Sequence, residues 1–484
     1  MAEITRDVRE HLASGLALKE HASPEQRESD GKARRHLVAR DSFGAWTPPP
    51  DRPDPVACVL GQDATRAADL IGVRHERMAV SPFTFFRGSA LLMAQDLARL
   101  ATSGLDVQLC GDAHIANFGL FLSPERRMVF DINDFDETAR GPWEWDIARL
   151  CASVELCARH RSFDRDKTSA AVEATARSYR EAMRSFAQMG NIEMWYHHIE
   201  MNDALTDLFE QLGDDKWVEL VKRSVNKAYH KDNIRAMRRF TQVVDGKLQV
   251  VSEPPLIVPM RELFDGLPAS ERRACLQFEL TESALETYRS TLSPEILGLL
   301  DSYQPVDAAR KVVGVGSVGL RSWIVVCEGT GPDDPLVLQL KEAQQSVVEQ
   351  VLGPQGFSHH GQRVVAGQRA IQLTSDVLLG WTRMADADTG FMRDYYVRQL
   401  WNGKGAFDLE RICATGLRQL AEICANTLAH AHARTGDRIA IAAYLGASDV
   451  FDRGMRDFAR TYADVAERDH AAFVAAIDDG RHRV

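Results

Sequence analysis

The chain has 484 residues, of which 45% are hydrophobic and 26% charged, and its formal net charge is -11. At roughly 150 residues per packed unit this length implies two or three lobes, and the composition excludes wholesale disorder. The acidic balance argues against a general nucleic-acid binder, because such proteins gain affinity by setting clustered Lys and Arg against phosphates.

The opening MAEITRDVREHLASG is charged throughout and lacks the apolar run of a signal peptide. Nowhere do about 18 apolar residues run uninterrupted, so no membrane span and no membrane partner are expected. Eight cysteines, none in a CxxC pair, lie partly inside apolar runs and read as thiols of a reducing compartment, so a cytoplasmic location is expected. Residues 1–60, basic in GKARRHLVAR and proline-rich in WTPPPDRPDP, read as a polar extended arm.

From Gly88 onward, Ala90, Met93, Ala94, Leu97 and Ala98 fall at helical spacing and predict an amphipathic helix ending near Gly104. The strand LDVQLC follows and delivers CGDAHIANFG; RMVFDI reads as the next strand and delivers NDFDE. Ile147, Leu150, Cys151, Val154 and Ala158 then give one helical face after GPWEWD, and helices to about residue 240 complete a helical lobe over 61–240. TQVVDGKLQVV reads as a hairpin turning on Asp245-Gly246, and Pro254-Pro255 mark a boundary. The stretch ARKVVGVGSVGLRSWIVVCEG, the polar turn TGPDDP and LVLQLKEA read as three strands. With the helical GQRVVAGQRAIQ and a hairpin from DVLLGWTRM to GFMRDYYVRQL, they define a β-rich lobe over 241–405. Residues 406–484 are helical, with Leu417, Leu420, Ala421, Cys424 and Leu428 along one face, and are expected to pack on the first lobe.

Gly314, Gly316 and Gly319 form GxGxxG between two strands, a spacing that lets backbone N–H groups approach phosphates and that equally suits a plain tight hairpin. A dinucleotide fold would need a helix directly after the glycines, whereas LRSWIVV reads as a strand. Lys341 ends an apolar strand, where lysine needs a partner; Glu349 is the expected one, with Glu342 also within reach. In GDAHIAN, Asp112 and Asn117 are five apart, as in the Asp-x-x-x-x-Asn of kinase loops in which Asp takes the hydroxyl proton and Asn holds Mg²⁺. His114 between them is a further catalytic candidate. Asp134 can supply a second hard oxygen ligand, and Asp131 and Asp136 read as further ligands or as turn caps. Arg87 in FFRG is a phosphate contact or a surface group, His430 and His432 read as helix-face residues, and Trp143 and Trp145 as core.

GDAHIAN followed by INDFDETARGPWEWDIA resembles the catalytic and metal-binding segments of the aminoglycoside phosphotransferase and choline kinase branch of the protein-kinase-like superfamily, over about 40 residues. The resemblance implies Asp112 as base, Asn117 and Asp134 as Mg²⁺ ligands, and Asp146 as a buried anchor. It also implies a two-lobed α+β fold with ATP and Mg²⁺ as cofactors. Over nearly its whole length the chain is similar to the bacterial family named domain of unknown function 2252. Because Gly314 and Lys341 follow Asp112 instead of preceding it, a circular permutation is expected. Only twelve residues separate Asp134 from Asp146, too few for a peptide-docking segment, so a small-molecule hydroxyl is the expected acceptor. The competing readings are a metal-dependent phosphoesterase, a nucleotidyltransferase and a nucleotide-binding regulator.

Overall fold

Proline starts three of the N-terminal helices. Pro24, Pro55 and Pro82 each occupy the first helical turn, where the missing N–H has no intrahelical partner to lose, and the side chains of Ser23, Asp54 and Ser81 cap the free amides. The computed structural model describes residues 22–197, 215–230, 233–244, 247–263, 282–312, 314, 316–331, 334–385, 390–400 and 402–479. In it the first helices are α1 (Pro24–Ala33), α2 (Pro55–Gly61), α3 (Ala68–Ala79), α4 (Pro82–Gly88) and α5 (Ala90–Leu97). The arm expected over residues 1–60 is therefore packed structure from Pro24 onward. Arg27 pairs with Asp437 at 2.7 Å, Arg35 donates to the Tyr444 carbonyl at 2.8 Å, and the Trp46 ring meets those of Phe458 and Tyr462. Residues 1–21 lie outside the described residues.

Two short antiparallel pairs follow, β1 (Asp106–Leu109) with β4 (Ala139–Pro142) and β2 (Phe118–Leu122) with β3 (Met128–Ile132). Next come α6 (Trp143–His160), α7 (Arg165–Gln188), α8 (Asn191–Tyr196), α9 (Asp215–Tyr229) and α10 (Asn233–Phe240). All of α6 from Trp143 to Ala158 is buried, so the predicted apolar face is one side of a helix enclosed all round. β5 (Thr241–Val244) and β6 (Lys247–Val250) pair in the expected hairpin register, and the Asp245-Gly246 turn itself falls outside the described residues.

β7 (Ile257–Pro259), α11 (Met260–Leu263), α12 (Glu282–Ser290) and α13 (Pro294–Leu300) lead into β8 (Gln304–Lys311), β9 (Ser322–Glu328) and β10 (Pro335–Ala343). Then come α14 (Val347–Leu352), α15 (His360–Ile371), β11 (Gly380–Ala385) and β12 (Met392–Gln399). The strands form one six-stranded antiparallel sheet in the order β11-β12-β10-β9-β8-β7. Its period of two shows in the packing: Val325, Cys327, Leu338 and Leu340 join the cluster under α12 and α13, whereas Ile324, Val326 and Val337 join Phe240 on the other face.

The chain ends in α16 (Ala414–Thr435), α17 (Arg438–Leu445) and α18 (Val450–Asp478), which pack with α6 and α7. A single apolar cluster runs through these helices and β1–β3, and it also takes in Val364, Val365 and Ile371 of α15. The fold is thus α+β, helices beside small antiparallel sheets. No described helix is long and apolar enough to cross a membrane, and the seven described cysteines are all free.

Candidate active site

Three groups of residues converge on one cleft, and the Gly-Asp-x-His loop forms its floor. Gly111, two residues after β1, has φ of +82° and a Cβ there would stand 2.0 Å from the Glu137 carbonyl oxygen, so only glycine fits. Asp146, in the first turn of α6, accepts the amides of Cys110 (2.8 Å) and Gly111 (3.1 Å). His432 of α16 touches the same carboxylate at 3.2 Å and meets the Tyr179 hydroxyl through its other nitrogen at 2.7 Å. The loop then closes on itself: the Asn117 amide nitrogen donates to the Asp112 carbonyl at 2.7 Å, which leaves the amide oxygen as the half of that group not used by the bond.

Asp112 does not stand alone. Arg149 of α6 donates to its carboxylate and, at 3.0 Å, to the Phe86 carbonyl, with the guanidinium 4.3 Å above the Phe86 ring. Burial pushes the Asp112 pKa up and Arg149 opposes the shift. His114 approaches Asp112 at 3.8 Å; burial, then Arg87 and Arg149, hold its pKa well below the usual histidine value, so it is a neutral imidazole. Its Nδ1 is buried with no hydrogen-bond partner among the described residues.

The NDFDE segment joins this floor to the six-stranded sheet. The Asn133 amide donates to the Asn117 carbonyl at 2.8 Å, fixing the two loops together. Lys341, 3% exposed on β10, lies 3.6 Å from Asp134 and directly against Asp136. Burial alone would push the ammonium down; Asp134 and Asp136 reverse that and keep it charged. Burial likewise raises Asp134, and Lys341, Arg398 and Lys404 overcome it and hold the carboxylate below its usual range. Asp136 also accepts from the Tyr396 hydroxyl (2.9 Å) and the Ser317 hydroxyl (3.1 Å), so three parts of the sheet lobe meet on one carboxylate.

Two expectations for this region are corrected. Glu349 does not reach Lys341: as the third residue of α14 it folds back to the Ser346 amide in a capping box and faces Arg363 at 3.4 Å. Nor is Glu342 the partner, since it pairs with Arg393 at 3.1 Å and Arg321 at 3.5 Å. Asp131, on β3, is buried away from the cleft, where its carboxylate accepts the amides of Ile132 (2.7 Å) and Leu373 (2.8 Å); burial raises it to about 6. It caps backbone and holds no place among the ligand candidates.

The glycine turn closes the third side. Gly314 (φ +66°) and Gly316 line the cleft, whereas Gly319 (φ +91°) packs behind it against Arg66. Arg66 donates to the carbonyls of Gly316 (2.9 Å) and Val318, and Arg77 to that of Gly314 (2.6 Å). Asp112, His114, Asn117, Asp134, Asp136 and Gly314 line a cleft of about 800 Å³. An adjoining space of about 360 Å³ shares Asn117, Asp134 and Gly314 and extends past Lys341 to Lys404. The sequence brought forward neither Arg149, Arg66 nor Arg363. Arg363 of α15 is 1% exposed and donates to the carbonyls of Thr138, Asp136 (2.8 Å) and Gln344 (2.8 Å).

The site sits on an α+β scaffold of helical lobe and antiparallel sheet. Residues 66–476 match the family described as "Uncharacterized protein conserved in bacteria (DUF2252)", and the chain belongs to that family. No curated protein and no solved structure matches it.

Proposed function

We propose that the protein is an ATP- and Mg²⁺-dependent phosphotransferase acting on the hydroxyl of a small-molecule acceptor, on a permuted kinase-like fold. The observation that carries this reading is the meeting of Lys341 with Asp134 and Asp136 where its own space adjoins the cleft lined by Asp112, Asn117 and the glycine turn. Residues some 200 positions apart in sequence supply the cation, the hard oxygen ligands and the base that phosphoryl transfer uses.

Lys341 would hold the nucleotide phosphates, with Gly314 and Gly316 allowing close backbone approach. The Asn117 amide oxygen and Asp134 would hold Mg²⁺, which supplies charge neutralisation when bound with the triphosphate. Asp112, oriented by Arg149, takes the acceptor proton. The role given to Glu349 in orienting the lysine passes to Asp136 and Tyr396. The order of elements supports permutation: strand, glycine turn, strand, strand with lysine, helix and hairpin follow one another from β8 to β12. The end of α16 meets β1 through the bond from the Gln108 amide to the Thr435 hydroxyl (3.1 Å), a contact compatible with a permuted chain in which that helix precedes the Asp112 strand.

The test is thermal stability with ATP in the presence and absence of Mg²⁺, since ligand at 100 times Kd adds about 2.7 kcal/mol. Asp134→Asn should lose the Mg²⁺-dependent gain, and Asp112→Asn should keep it. Equal losses in both variants, or no gain in the wild type, would count against the assignment.

A further inference from the structure

Most cations around the cleft are already bound to something. Arg66 is held by the carbonyls of Gly316 and Val318, Arg149 by Asp112 and Phe86, Arg363 by three carbonyls, Arg383 by Asp394 at 2.6 Å and Arg393 by Glu342 at 3.1 Å. Arg87 is different. It ends α4, lines the cleft, and makes no hydrogen bond or ion pair among the described residues; its Nε is buried with no partner. The guanidinium lies 5.9 Å from the centre of the Phe83 ring. A buried guanidinium donor left without a partner is unfavourable unless a ligand meets it.

Its position says which ligand. The Arg87 carbonyl stands 3.2 Å from where a Cβ on Gly316 would be, so the residue abuts the turn assigned to the nucleotide phosphates. Asp112 and His114, which line the same cleft, both feel its charge. Arg87 therefore lines the one cleft whose donor side is the glycine turn and whose acceptor side is the base, with an interval between them. What occupies that interval in an in-line displacement is the transferring group itself.

We propose that Arg87 is a catalytic residue that holds the oxygens of the phosphoryl group in transit; the inference rests on the phosphotransferase reading above. The acceptor oxygen forms its bond to phosphorus as the bond from phosphorus to the β–γ bridging oxygen breaks. That electron pair leaves with ADP and the hydroxyl proton goes to Asp112. The three equatorial oxygens carry the charge that Arg87 meets, and a planar fork of donors suits them.

Because the acceptor is unidentified, the test uses nucleotide probes: the ATP analogue AMP-PNP with Mg²⁺ for the ground state, and ADP with Mg²⁺ and aluminium fluoride for the phosphoryl group in flight. Dissociation constants are measured on the full chain by calorimetry. The wild type should bind the fluoride complex more tightly than AMP-PNP. Arg87→Ala should hold AMP-PNP within about threefold and weaken the fluoride complex on the order of 10²- to 10³-fold. Arg87→Gln, which keeps the bulk, should behave alike, and ligand-free melting shows whether either variant folds. Equal weakening of both probes would overturn the proposal by making Arg87 a ground-state or structural residue, as would an undiminished preference for the fluoride complex in both variants. A wild type that binds AMP-PNP but shows no such preference would overturn it while leaving nucleotide binding intact. A wild type that binds neither probe would instead remove the phosphotransferase reading and this inference with it.

Discussion

Glu144 carries a carboxyl group into the interior of the helical lobe with only one oxygen occupied. Oε1 accepts the Ser103 amide at 2.7 Å, Oε2 is buried with no partner among the described residues, and burial pushes the pKa up to about 7 from 4.5. A folded-state pKa above the unfolded one means that the fold prefers the neutral acid. Its contribution is complete below about pH 4.5 and is lost as pH rises through about 7. Glu144→Gln keeps the acceptor for Ser103 and removes the ionisation. It should stabilise the protein at pH 8 by an amount on the order of 1–3 kcal/mol, with the gain vanishing near pH 4.5. Urea midpoints at the two pH values check this, and an equal difference at both would show that burial is not the cause. The same chemistry bears on the cleft: Asp112 is also raised by burial, so phosphoryl transfer should fall in rate as the pH drops through that raised value, where the base takes up its proton.

At the scale of elements, α15 is the piece that fastens the NDFDE segment to the sheet, and Arg363 is the means. Its guanidinium reaches the carbonyls of Asp136, Thr138 and Gln344 and lies beside the buried Glu349. Arg363→Met removes the donor to these carbonyls and the cation beside that carboxylate. It should cost about 3–5 kcal/mol in urea unfolding and weaken nucleotide binding along with it; a loss of stability with unchanged nucleotide affinity would separate α15 from the site. Residues such as Arg363 and Arg149 were not legible in the sequence, because an arginine's partner is set by tertiary proximity and here lies up to 227 positions away. What was legible rests on local rules. The apolar run SWIVVCE, the helical spacing from Ile147 to Ala158 and the Asp112–Asn117 interval each describe close neighbours along the chain. Glu349 was misassigned because Ser346 three residues earlier makes it a helix-start acceptor, a signal that the sequence does contain. The prolines after residue 22 read as breakers and so as an arm, although Ser-Pro and Asp-Pro steps also start helices.

At the scale of the whole molecule, the two ends of the described chain are clamped together. Arg52 reaches Asp96 of α5 at 2.8 Å and Asp469 of α18 at 2.7 Å, with the Tyr462 hydroxyl completing Asp96 at 3.0 Å. Arg52→Met strands two largely buried carboxylates and should lower stability by about 3–5 kcal/mol. Removing one of the two stranded charges with Asp96→Asn in the same chain should recover part of that loss, and an additive double variant would show that the two groups do not act as a pair.

The clamp also fixes when the protein can finish folding. Arg52 waits 417 positions for Asp469, and α6, buried along nearly all its length, waits for α16 and α18 to cover it. During synthesis the Gly-Asp-x-His strand pair and α6 leave the ribosome with their apolar surfaces open while about three hundred residues are still to come. Contacts of such sequence separation form late, because loop closure must precede them. Refolding from urea should therefore be slow and lose yield as protein concentration rises, and a chain cut before α18 should aggregate instead of folding as a smaller lobe.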